Sequence, residues 1–106
     1  MIVTTTNEIS GYRITRHLGI CRGITVRSRN ALGSLLGGLQ SLLGGQLSAF
    51  TNLAETARQE AYDLMVTHAG QAGANAVIGM RYDANEITDG VTEVLAYGTA
   101  VFVEPV

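Results

Sequence analysis

The stretch from Val91 to Val103 constrains the fold more than any other segment of the chain. Leu95, Tyr97, Val101 and Val103 share one parity of a strand, and Val94, Ala96, Ala100 and Phe102 share the other. Successive side chains point to opposite faces, so both faces of this strand are apolar and each needs a cover. One helical layer supplies a single cover. A chain of 106 residues has room for one domain, residues 1–106, and buries only about two-thirds of its unfolded surface by itself. The second cover is therefore expected from another subunit. A composition of 46% hydrophobic and 15% charged residues also leaves an apolar face over.

The same composition excludes several classes. The chain is too apolar for intrinsic disorder, and its 13 glycines follow no period of three, which excludes collagen. The single cysteine allows no intrachain disulfide, and MIVTTTNEIS lacks the basic start and apolar run of a secretory signal, so the cytoplasm is the expected compartment. No lysine is present, which removes Schiff-base and P-loop chemistry. Residues 1–54 carry five arginines against Glu8, and residues 55–106 carry Arg58 and Arg81 against eight carboxylates. The halves are thus +4 and −6, summing to the net −2 of the chain. No aromatics interleave with the arginines, so nucleic acid is not an expected partner; pairing with carboxylates of the other half or of a neighbouring subunit is.

Residues 2–6, IVTTT, read as a strand followed by a turn over 7–11. Tyr12 to Arg29 alternates as a long strand: Tyr12, Ile14, Leu18, Ile20, Ile24 and Val26 form an apolar parity, interrupted by Arg16 and Arg22. Gly19 and Gly23 mark bends, bulges or a close backbone approach within it. Asn30 to Ala54 is uncharged, and its repeat of Ser-Leu-Leu-Gly-Gly at 34–38 and 41–45 predicts a small amphipathic helix ending at Gly44-Gly45. Residues 46–72 read as the main helix, with Phe50, Leu53, Ala54, Ala57, Ala61, Leu64, Met65, His68 and Ala72 on one face and Gly73 as its stop. Asn52 and Glu55 have capping-box spacing for a later start. Ala74 to Tyr82 reads as a strand, Asp83 to Gly90 as an acidic loop.

Candidate chemistry is sparse. His17 and Cys21 share the polar parity of one strand but stand about 13 Å apart along it. Zinc needs its donors at about 2.0–2.3 Å, so these two could hold a metal only across a bulge at Gly19 or with donors from a second chain. Soft thiolate ligation would favour copper(I), zinc or a heavier thiophilic ion. His68 is expected as a core or interface histidine with one hydrogen bond. The Asp83–Gly90 segment begins like a calcium loop, but Thr88 stands where the tight-turn glycine is needed. No catalytic triad, dinucleotide fingerprint or phosphate loop is present, so a non-enzyme is expected. Residues 31–50 are half apolar, too polar for an isolated span, yet able to lie on a bilayer or line a ring.

Gly11-Tyr12-Arg13-Ile14, Gly19, Gly23, the Gly44-Gly45 pair, Ala57-Arg58, Ala61, GANAVIG at 73–79, Tyr82-Asp83 and GTAV at 98–101 run in the order found in the YbjQ family, which the chain resembles over nearly its whole length. The resemblance implies an α+β fold, a dodecin-like two-layer subunit with an antiparallel sheet packed against helix. It implies assembly as a ring, a homopentamer as a rule, and a heavy-metal-binding label without an established activity. Two functional expectations follow. One is a ring-forming protein that takes a thiophilic metal ion or small ligand between subunits, with Cys21 and His17 as candidate ligands. The other is a structural or membrane-associated homo-oligomer held through the uncharged segment 30–54.

Overall fold

A computed structural model gives the structure of the chain and describes residues 1–28 and 46–106. The elements are β1 (Ile2–Val3), β2 (Tyr12–Ser28), α1 (Gln46–Gln71), β3 (Ala76–Thr88) and β4 (Val91–Pro105). They form one four-stranded sheet, in the order β1-β3-β4-β2, with the helix packed on one face. The doubly apolar segment is β4, an interior strand with a hydrogen-bonded neighbour on either side. The fold is α+β with a mixed sheet, not the purely antiparallel one expected, because β1 runs parallel to β3.

α1 ends as its sequence requires. Gly73 takes φ +92°, a conformation costly for residues with a Cβ. Its amide donates to Gly70 O at 3.0 Å and the Ala74 amide to Ala69 O at 3.0 Å, the paired bonds of a Schellman stop. The helix begins at Gln46, so Asn52 and Glu55 sit inside it and form no capping box. Its buried ridge is Ala57, Ala61, Met65 and Ala69, spaced by four. Leu64, Ala54 and Ala72, expected on that face, are exposed, because the ridge of small residues turns toward β2. A Cβ on Gly23 would stand 2.1 Å from Ala61 O and 2.5 Å from Met65 N, so the helix backbone rests directly on this glycine.

On β2 burial does not follow the apolar parity. From Cys21 onward it is the small, polar parity, Cys21, Gly23 and Thr25, that faces the helix and is buried. The large apolar parity is exposed, with Ile20 75%, Ile24 43% and Val26 50% accessible. The physical reason is the same close approach: only small side chains fit beneath a helix that touches the strand backbone. β2 is a single strand with register shifts at Ile14/Arg16 and His17/Gly19, the second beside Gly19 at φ +99°.

The segment Asp83–Gly90, expected as a loop, is largely strand. Asp83 to Thr88 pair with Val91 to Leu95, leaving Asp89-Gly90 as the turn. The pairing uses backbone groups and a β-branched partner strand, so it tolerates polar side chains that all point into solvent. At the other end β1 is shorter than the five residues expected. Beyond Val3 the chain keeps backbone bonds to β3, Thr4 N to Val77 O at 2.9 Å and Gly79 N to Thr6 O at 2.8 Å, but leaves regular strand geometry as the Thr6 amide and hydroxyl turn to Thr4 Oγ1 and Glu8 O. The predicted short Gly/Leu helix falls mainly on residues 29–45, outside the described residues; 46–54 belong to α1.

β4 has two covers of unequal extent. On the helix face, Ala96 and Ala100 join Cys21, Ala61, Met65, Ala69, Val77 and Met80 in the main core. On the reverse face, Val101 and Val103 pack with Ala76 and Ile78 beneath Ile2, Ile9 and Ile14. The Asn75 side chain seals that end by donating to Val103 O at 2.9 Å and accepting from Val103 N at 2.8 Å. Toward the hairpin, Leu95 and Tyr97 remain half-exposed beside Ile24 and Arg22. The radius of gyration is 17.0 Å, against about 13 Å for a compact domain of this length.

Candidate functional site along strand β2

Cys21 lies in the main core with 1% of its surface accessible. Its Sγ donates to Gly98 O at 3.6 Å, and burial pushes the thiol above its ordinary range against the opposing effect of backbone hydrogen bonds. A neutral thiol sealed between strand and helix is neither a nucleophile nor an open metal donor. His17 is exposed on the same strand.

The bulge that was to bring these residues together is present, but it separates them. His17 stands opposite Val101 and Cys21 opposite Gly98. Three residues apart on β4, Val101 and Gly98 point to opposite faces. Cross-strand partners share a face, so His17 lies on the reverse face and Cys21 on the helix face. Among the described residues no group of three His, Cys, Asp or Glu side chains could hold a metal ion. Among the described residues, Cys21 and His17 are therefore not brought together on one metal.

His68, in the last turn of α1, accepts the Arg22 amide hydrogen on Nδ1 at 3.2 Å. That bond leaves the neutral ring's proton on Nε2 and ties the helix to β2; the single hydrogen bond is the one expected, but the side chain is exposed and not in the core. Further along, Glu60 accepts from Thr25 Oγ1 at 3.2 Å and from the Arg27 guanidinium. The Arg27 hydrogen bond holds the Glu60 carboxyl below its usual range. On the β3 side, the Arg58 guanidinium lies 5.4 Å from the Tyr82 ring centroid. Burial, reinforced by Tyr62, pushes the Tyr82 phenol up despite that arginine.

Sequence reasoning missed an open cleft of ≈ 820 Å³ where the 4–11 turn meets the start of β2. Thr6, Glu8, Ser10, Tyr12 and Arg13 give it polar walls, and Ile9, Ile14 and Val106 an apolar floor. The hydroxyl-rich run before Gly11 was the available signal. It lacked meaning until the Val106 amide, donating to Gly11 O at 3.0 Å, brought the far end of the chain beside it.

A family model described as "Putative heavy-metal-binding", YbjQ_1, matches residues 1–104. The chain belongs to the YbjQ family. UPF0145 proteins resemble this YbjQ-family chain closely. One from Solibacter usitatus is 63% identical over 103 residues, 97% of this chain and 92% of the relative. One from Chromobacterium violaceum is 58% identical over 104 residues, 98% and 89% of the two chains. Their name assigns no enzymatic activity. A crystal structure of a protein of unknown function from Pediococcus pentosaceus, of the DUF74 family, superposes with a TM-score of 0.63 over 98% of both chains. At 18% identity it shares the fold of this YbjQ-family chain. No helix among the described residues is long and apolar enough to cross a membrane.

Proposed function

We propose that this chain is a non-enzymatic, ring-forming homo-oligomer, a dodecin-like homopentamer of the cytoplasm, that takes a thiophilic metal ion or small ligand at surfaces shared between subunits. The observation that carries the reading is the reverse face of the sheet. Ile20, Ile24 and Val26 stand exposed beside Leu95 and Tyr97, and no described element covers them. Contiguous apolar surface of this kind marks an interaction site in a soluble protein. The elongated shape supports the same reading, since a second copy would supply the burial that one subunit lacks.

The family description supports a metal as ligand. With Cys21 and His17 on opposite faces, a site using either one draws its remaining donors from a neighbouring subunit, and Cys21 takes part only if α1 shifts from above it. Native mass spectrometry of protein purified without a metal-affinity tag tests both halves. The expected result is a single multiple of the 11.2 kDa subunit carrying extra mass. A bare monomer overturns the reading, and metal retained in both Cys21→Ser and His17→Ala removes these residues from it. The alternative assembly through segment 30–54 rests chiefly on residues outside the described part.

A further inference from the structure

The strand registers place Arg22, Tyr97 and Arg81 in one row across the reverse face of the sheet. Tyr97 stands opposite Arg22 on β2 and opposite Arg81 on β3. Cross-strand partners share a face, and since Ala96 belongs to the core under α1, Tyr97 lies on the other side. The Arg22 amide bonds His68 and so points away from β4, which makes Arg22 and Tyr97 a non-hydrogen-bonded pair with Cα atoms about 4.5 Å apart. Tyr97 then turns its backbone groups to Arg81 at about 5.5 Å, so the two arginines flank the tyrosine with about 10 Å between their Cα atoms.

Among the described residues neither guanidinium meets a carboxylate. The bond to His68 engages only the Arg22 backbone. Arg81 donates from Nη1 to two neutral carbonyls, Thr5 O at 2.9 Å and Met80 O at 2.8 Å, and its Nη2 and Nε hydrogens remain available. Two carboxylates share this face, Asp83 opposite Leu95 and Glu93 opposite Asn85. Asp83 accepts from the Ala84 amide and the Asn85 side chain, and neither carboxylate forms an ion pair with Arg22 or Arg81. Both arginines are exposed, and the surface beside them is apolar: Ile20 and Ile24 are exposed and Leu95 half-exposed.

We propose that Arg22 and Arg81 clamp the phosphate of a small aromatic phosphate monoester whose ring rests on Tyr97, Ile24 and Leu95. A phosphate monoester is close to a dianion at neutral pH and carries three strong acceptor oxygens, so it accepts from a guanidinium on each side and balances both charges. The planar fork of arginine matches that geometry. The apolar surround favours an organic body over the bare ion, and the half-exposed Tyr97 offers it a ring to stack on. This deepens the reading above, on which it rests for a small ligand at this face, and names the chemistry of that ligand.

Calorimetric titration of the full chain with phenyl phosphate, inorganic phosphate and phenol tests it. Phenyl phosphate should bind about tenfold or more tightly than either of the others. Arg22→Gln and Arg81→Gln should each weaken it at least about tenfold, the effect of losing a charge-assisted bond. Arg16→Gln removes the same charge from the same strand on the helix face, opposite Phe102, and should leave the affinity unchanged. Arg81→Gln also loses its bond to Thr5 O, so Arg22→Gln, whose side chain bonds no described residue, decides the matter if Arg81→Gln does not fold. No binding of phenyl phosphate, binding no tighter than that of inorganic phosphate, or equal binding by wild type and folded Arg22→Gln overturns the site. Native mass spectrometry of the same samples reports the subunit number separately: a monomer that binds phenyl phosphate through Arg22 sinks the ring and keeps the site, and an oligomer that does not bind it sinks the site alone.

Discussion

The two faces of β4 solve the same problem with opposite materials. On the helix face the side chains are small: Gly23, Cys21, Ala61, Ala69, Ala96 and Ala100 let two backbones meet, with Met65 and Val77 filling what remains. On the reverse face Ile20, Ile24, Val26, Leu95 and Tyr97 are large and stand partly or wholly in solvent. Burial therefore does not follow hydrophobicity along β2. It follows the distance at which the covering element sits, and a helix in backbone contact excludes the residues that would otherwise gain most from cover.

The sharpest way to break this contrast is Gly23→Val. The added atoms have no space before Ala61 and Met65, and overpacking of this kind costs about 3 kcal/mol. Urea unfolding should show a large drop in midpoint, and an unchanged midpoint would mean that helix and strand are not in contact. Met65→Ala empties the same face, with an expected loss of about 2–5 kcal/mol for a buried methionine. The reverse face should behave otherwise. Ile20→Ser should change subunit stability by less than about 0.5 kcal/mol, as surface substitutions do, and act on assembly instead. A loss like that of Met65→Ala would show Ile20 to be core.

Cys21 sharpens the comparison at a single atom. Sealed and held neutral, its thiol should react with a disulfide reagent at pH 8 only as fast as the protein opens, and at once in denaturant. Rapid reaction of the folded protein would contradict the closed helix face. The smallest effect belongs to Glu60 and Arg27 at the exposed rim. Because the folded Glu60 carboxyl is held below its ordinary value, its contribution is present above that value and is lost as the pH falls through the folded one. Glu60→Gln should therefore flatten the acid limb of the stability curve and leave neutral pH nearly unchanged, as thermal melts across the acid range would show.

Much of the architecture was legible in residue order. The 46–72 helix with its Gly73 stop, some bend, bulge or close approach at Gly19 and Gly23, and a last strand apolar on both faces all followed from local rules. Their causes are local: a φ only glycine tolerates, a missing Cβ, a two-residue alternation. The β2 face, the reach of β3 through Asp83–Thr88 and the mixed sheet were misread because partners distant in sequence decide them. The candidate site was least legible. His17 and Cys21 were placed on one face by counting parity, and one extra residue at the bulge reversed that count.

Sequence alone thus determined which segments could be helix or strand, that the chain carries more apolar surface than one subunit covers, and where charge of each sign collects. Only the tertiary structure decided which side of each strand is inside. A strand pattern is symmetric between its two faces, and what breaks the symmetry is the closeness of the helix, a property of Ala57, Ala61, Met65 and Ala69 acting across 34 or more residues on Gly23.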